Sequence, residues 1–437
     1  MISRASVLER SKWIILVGLI FFTCTYIYIE QIVEWNGGYL GIVLFNWYGS
    51  HLISLLIGLL IIAFLFPLAL ARPSDLFIFF HLFFVCISFA AFALGKFYMS
   101  AELYAQFLLI LILPLILLKL LLKIKLPRVR GYRQTRDRRL LLANYMIAAS
   151  AFVAGVSVYF APSSASLDFF DVYTRRIDAR LVMPDGSLLM YANQMTTQMI
   201  VPMAAAIYGF NRKVFGFLLC VLISVAFFYV DGSKSILITT IAAFILGFYR
   251  FRSSRVYPVN SLLLLIVALF LVFVVEAMNN QVSLAGQYFF RRFFIVPGVV
   301  VSAYIEAFFD SSMIWSPLTG MQLPESVSYY VGEVMFGHKG DNSGTNAFIS
   351  SLASSGIPGY LITTVVVVGF YRVLDLFYKQ TGDPSFFFIG FLYATKLVEQ
   401  NALTALSSSG VALAFFLLLV VNYKQTNSEQ KELSTRI

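Results

Sequence analysis

Twelve runs of roughly 20 mostly apolar residues divide this chain, and a run of that length leaves its backbone few options. They fall near 13–29, 51–71, 75–95, 103–123, 141–160, 193–210, 214–230, 235–250, 258–279, 353–371, 385–400 and 405–422. At about 1.5 Å per residue each can cross a hydrocarbon layer ~30 Å thick. No water is present there to bond the peptide groups, so each run must close its own hydrogen bonds as a helix. Only 12% of the residues are charged and 59% are hydrophobic, whereas a soluble domain carries about 25% charge. The expected fold is an all-α polytopic membrane protein, with residues 1–437 forming one integral membrane domain of about 12 transmembrane helices. Arg4, Arg10 and Lys12 before the first run resemble the start of a signal peptide. That run is long and ends in Tyr26, Tyr28 and Glu30 with no small-residue cleavage pattern, so it is expected to be an uncleaved span. Cys24, Cys86 and Cys220 lie inside apolar runs at unrelated spacings and predict neither disulfide nor metal site.

Lys and Arg in short loops set the orientation. The basic loop 123–140 holds eight Lys or Arg residues and one acid, Asp137, and is expected in the cytoplasm. Alternation then places the N-terminus, 211–213, 250–255 and the tail with Lys424 and Lys431 on the same side, and each of these is basic. The net charge of +10 follows from this bias without a nucleic-acid partner. The same counting puts 161–192, the turn 231–235 and one large loop, 280–352, on the outer face. Arg175, Arg176, Arg180, Lys234, Arg291, Arg292 and Lys339 lie in these outer segments, against the insertion bias, which points to an anionic ligand.

The 280–352 loop looks wet, charged and aromatic, and most of the candidate chemistry is there. Arg291 and Arg292 are flanked by Phe289, Phe290, Phe293 and Phe294; guanidinium forks match phosphate oxygens and tolerate partial burial. The alternative is an interfacial helix whose arginines reach lipid headgroups. In the turn Asp231-Gly-Ser-Lys-Ser235, Ser233 or Asp231 could cap the next helix, and Lys234 would make a compact anion subsite; otherwise it is an ordinary capped turn. Arg175, Arg176 and Arg180 form either a second basic wall or a solvated loop with local ion pairs. His338 and Asp341, in a Gly-rich turn, are candidates for general base, with Glu306 and Glu325 next in order. Lys396 and Glu399, three apart on one helix face, read as a structural ion pair. His51 and His81 read as structural. No phosphate-binding Gly loop, nucleophile elbow or metal-ligand spacing is present, so no cofactor is expected.

Together these features resemble the O-antigen polymerase (Wzy) family and, more distantly, the O-antigen ligases. The resemblance rests on a span count near twelve with one large late outer loop, the turn Asp231-Gly-Ser-Lys-Ser235, the aromatic Arg291-Arg292 segment, and Asn346 followed after nine residues by Gly356 and Gly359. Ligases keep a histidine where this chain has Thr345, which favours polymerase over ligase. The resemblance implies a metal-independent glycosyltransferase of the bacterial inner membrane, its active site facing the periplasm. Its donor and acceptor would be glycans on undecaprenyl diphosphate, joined into O-antigen or a related surface polysaccharide of lipopolysaccharide biosynthesis. A chain-length regulator protein is a possible partner. In that reading Arg291, Arg292, Lys234 and Arg176 meet the diphosphate, while His338, Asp341 or Glu306 serves the acceptor hydroxyl. The alternatives are an O-antigen ligase or a lipid-linked oligosaccharide flippase, which would place its basic residues in a central cavity.

Overall fold

A computed structural model describes residues 4–28, 49–96, 100–124, 136–168, 175, 178–179, 182–183, 186–279, 283–308, 327–337 and 342–423. The described chain is a bundle of helices with no strand; Leu70 and Val256 form one isolated bridge. In chain order the helices are α1 (Arg4–Ile27), α2 (Gly49–Leu65), α3 (73–96), α4 (Ala101–Leu121), α5 (Arg136–Tyr159), α6 (188–210), α7 (Val214–Asp231) and α8 (Lys234–Arg252). They continue with α9 (Pro258–Met278), α10 (Ala285–Phe308), α11 (Val327–Phe336), α12 (Ala347–Thr381), α13 (Pro384–Leu397), α14 (Ala402–Leu406) and α15 (Val411–Tyr423). All twelve apolar runs overlap a helix, and among the described residues nine helical stretches are long and apolar enough to cross a membrane. One of the nine, Ala285–Phe308, falls in the segment expected to be wet.

That difference has a packing cause. Phe290 and Phe294, four apart, share one face of α10 and are fully buried, Phe294 lying edge-on to Phe83 at 5.2 Å. The rings thus take the core face, leaving Arg292 exposed and Arg291 half-buried. The helix starts beside the end of α1, where a Cβ on Gly286 would lie 3.2 Å from Ile27. Near its other end the Tyr304 hydroxyl donates to the Ser343 carbonyl at 2.9 Å.

One end of the bundle gathers the basic residues, and they cap helix C-termini there. Lys119 donates to the Leu65 carbonyl at 2.8 Å and Arg10 to that of Phe66 at 2.6 Å, closing the last turn of α2. Arg372 donates to Ile124 beyond α4 at 2.6 Å, and Arg138 to Val421 on α15 at 3.3 Å. Helix ends leave four carbonyls unpaired and carry partial negative charge, so cations satisfy both needs. The buried Arg250 donates to Ala71, Ser254 and the Tyr378 hydroxyl, while Arg139 pairs with Asp383 at 3.7 Å. These contacts join α3, α5, α8, α12 and α13 at one level.

Three backbone devices shape the interior. Pro114 in α4 has no N–H for the Ile110 carbonyl, which instead accepts from the Tyr360 hydroxyl at 2.8 Å. One residue further along α4, Leu111 O lies 2.8 Å from His81 Nε2, so His81 is a satisfied core residue, as expected from sequence. The second device breaks α12 at Ser355 and Gly356, where Gly356 has φ 62°, ψ −158°, a region essentially reserved for glycine. Gly359 fits the returning chain, since a Cβ there would stand 2.5 Å from Ser355 Cβ. The glycine spacing of the polymerase resemblance is thus a helix break, with Asn346 as the N-cap accepting from Phe348 and Ile349 at 3.1 Å each. Third, α6 and α8 touch backbone to backbone, small residues lining both faces: Ala205 and Gly209 on one, Ala243 and Gly247 on the other.

Candidate functional site

Where α6, α7, α8 and α13 converge, away from the basic end, lies a cavity of about 280 Å³. Its walls are unusually polar for a lipid-embedded bundle. From α6 come Asn193, Gln194, Thr197 and Gln198; from the α7–α8 turn Asp231, Ser233 and Ser235; from α8 Thr239; and from the exit of α13 Lys396 and Glu399. Phe227, Val230 and Ile236 supply the apolar side.

The depth of the site follows from helix length. α13 begins at the basic end beside Asp383 and has 14 residues, a rise of roughly 21 Å, short of a ~30 Å hydrocarbon core. The chain then leaves helical geometry, passes through α14 and returns as α15. Irregular backbone at such depth survives only where protein or a wet cavity satisfies it. Here Gln400 donates to Ser409 at 2.7 Å and reaches Gln198 at 3.5 Å. Asn401 donates to Ser351 at 3.0 Å, and Thr363 donates to that same hydroxyl at 2.7 Å. On the facing wall, α6 widens into a π-helical turn over Thr196–Ile200, a deviation common beside functional sites.

The charged lining differs from the expectation of a structural ion pair. Lys396 and Glu399 sit one turn apart, yet no carboxylate lies within 4.0 Å of Lys396 among the described residues. Lys396 is half-buried and Glu399 exposed, and both line the cavity. An ammonium group lining a cavity in an apolar bundle, with no carboxylate beside it among the described residues, is a functional-site candidate. Asp231 is held differently, its Oδ1 accepting from the Ser233 amide at 2.7 Å. Ser233 does not cap α8 through its side chain; its Oγ instead meets Ser235 Oγ at 2.9 Å. Gly232 takes the left-handed φ of 70° that ends α7.

Of the residues singled out by sequence, Lys234 opens α8, half-buried between the lining residues Ser233 and Ser235. Arg291 and Arg292 are placed elsewhere: α10 packs on α1, α3, α9 and α12, whereas α8 packs on α6, α7 and α13. Arg291 donates to Gln287 at 3.2 Å. Glu306 is exposed on α10, one turn or less from Tyr304. His338, Asp341 and Arg176 lie outside the described residues. Arg175 is fully buried; it donates to the carbonyls of Ser166, Asp168 and Phe228, stapling the segment before α6 to the end of α7. Ala179 and Met183 of that segment complete the cavity wall.

The 342–346 segment packs on the backbone of the lining residue Glu399. A Cβ on Gly344 would stand 2.6 Å from the Glu399 carbonyl, so glycine alone permits this approach. Tyr304 holds the preceding residue, Ser343, and Thr345 and Asn346 are buried. Sequence reasoning missed Asn193, Gln194, Thr197, Gln198, Lys396 and Glu399 as one group. The signal was present as two polar clusters interrupting apolar runs, 193–198 and 396–401. Chemically, the cavity offers amides and hydroxyls that suit a sugar's hydroxyl groups, a cation for an anion and carboxylates for protons. Among the described residues no group of three or more His, Cys, Asp or Glu is placed to hold a metal ion. Compared with protein-family models, curated proteins and solved structures, the chain matches none.

Proposed function

We propose that this chain is a metal-independent membrane glycosyltransferase that polymerises undecaprenyl-diphosphate-linked oligosaccharide repeat units into O-antigen or a related surface polysaccharide. The observation that carries the reading is the polar cavity, whose Lys396 has no carboxylate within 4.0 Å among the described residues and whose lining residue Glu399 meets Gly344 before α12. A lipid-linked glycan presents an anionic diphosphate at the membrane surface and hydroxyl-rich sugars beyond it, and this lining has groups for both. The cavity lies toward one end of the bundle, which favours chemistry at one face over the central passage a flippase needs.

In this reading the bundle crosses the bacterial inner membrane about twelve times, with both termini in the cytoplasm and 280–352 on the periplasmic side. α10 supports that side for the loop. It begins beside the end of α1 opposite Arg10, and near its other end it is tied to Ser343. It would lie across the bundle in the outer half of the bilayer. Cysteine substitutions at positions 133 and 342 test the orientation with an impermeant thiol reagent in intact cells. Labelling at 342 and protection at 133 is expected; the converse overturns it.

The function is tested with purified protein and a synthetic lipid-linked repeat unit. Products longer by whole repeat units, released with free undecaprenyl diphosphate, are expected without added metal. Transbilayer movement of the unit with no elongation would replace this reading by the flippase.

A further inference from the structure

We infer that Lys396 and Glu399 divide the transfer chemistry between them: Lys396 receives the leaving diphosphate and Glu399 takes the proton of the acceptor hydroxyl. This rests on the proposed glycosyl transfer, and it moves the reacting groups from the 280–352 arginines to the exit of α13. Both side chains line one cavity from one turn of chain, yet they do not pair. Lys396 lies in the last turn of α13 and Glu399 three residues on, in the turn beyond the helix. Because the two do not bond each other, each head group is left to face the cavity. Asn193, Gln194 and Gln198 on the facing wall hold polar groups opposite them, suited to the sugar between leaving group and acceptor. Gly344 packs on the Glu399 backbone, fixing that residue against the loop through which an acceptor would approach.

The step balances. The acceptor oxygen forms a bond to the anomeric carbon as the bond from that carbon to the phosphate oxygen breaks. The electron pair of the broken bond goes to the diphosphate, whose added charge faces the Lys396 ammonium. The hydroxyl proton goes to the Glu399 carboxylate.

The test uses full-length protein in lipid nanodiscs, with two readouts on each sample: elongation of a lipid-linked repeat unit, and binding of inorganic diphosphate. Glu399→Gln is expected to lose 100-fold or more in elongation with diphosphate affinity unchanged, and Glu399→Asp to recover part of it. Lys396→Gln is expected to weaken diphosphate binding at least tenfold, and Lys396→Arg to restore it. Equal thermal midpoints for all samples exclude misfolding. If the wild type elongates and Glu399→Gln or Lys396→Gln does so equally well, the division of roles is wrong while the polymerase reading stands. If the wild type never elongates, the polymerase reading and the role of Glu399 fall together. In that case Lys396-dependent diphosphate binding upholds the anion seat, and binding indifferent to Lys396→Gln overturns it.

Discussion

Substituting Gly247 by alanine is expected to push α6 and α8 apart and to destabilise the walls of the cavity they share. A Cβ at 247 would stand 2.1 Å from the Ala206 carbonyl oxygen, and one at 209 would stand 2.2 Å from that of Phe244. Ordinary contact begins near 3.4 Å, so the helices must separate by about 1 Å at either site. Both obstacles are backbone atoms within helices, which no rotamer change can relieve. Overpacking of this kind costs about 1–3 kcal/mol, against a gain of up to ~1 kcal/mol from alanine's better helix propensity. The net expectation is a loss of roughly 1–2 kcal/mol for Gly247→Ala and for Gly209→Ala. Because one displacement relieves both clashes, the double variant should lose less than the two singles added. Gly18, Gly155 and Gly369 have nothing within 4 Å of a Cβ and serve as controls, each expected to be neutral or slightly stabilised. The assay is unfolding of purified protein in mild detergent, titrated with a denaturing detergent and followed by tryptophan fluorescence. If Gly247→Ala unfolds at the same midpoint as Gly155→Ala, the backbone contact is not as close as described and the reasoning fails.

Two further outcomes are expected from the interior. Gly356→Ala forces a side chain into a region favoured only by glycine, at about 1–3 kcal/mol; a lowered unfolding midpoint and reduced elongation would accompany it, and an unchanged midpoint would count against the break in α12. Tyr360→Phe strips the Ile110 carbonyl of its donor, a loss of roughly 0.6 kcal/mol and up to ~1.7. In a Pro114→Ala background the restored amide can serve that carbonyl, so the same Tyr360→Phe change should then cost nothing measurable in the same titration.

Helix formation was legible in the sequence because it is a local demand. In hydrocarbon each peptide group must find its partner within the segment, so run length and composition alone placed helices over all twelve runs. Arg10, Arg138 and Arg250, each from one of the basic clusters, donate to backbone carbonyls of other segments. Burial of 285–308 was not legible, because Arg291 and Arg292 dominate the local reading while Phe293 and Phe294 find their partners more than 200 residues away on α3. The break in α12 was half visible: Gly356 and Gly359 stood out as a spacing, but their φ and packing are properties of the folded chain. The cavity was hidden altogether. Its lining is drawn from 179–198, 227–239 and 396–399, stretches that read separately as an outer segment running into a span, a turn between two spans, and an ion pair. Only the packing of α13 against α6 and α8 turns Lys396 and Glu399 from presumed partners into two separate charges facing the same space. Sequence spacing fixes which residues can be neighbours on one helix; which of them meet is decided by what stands across from that helix.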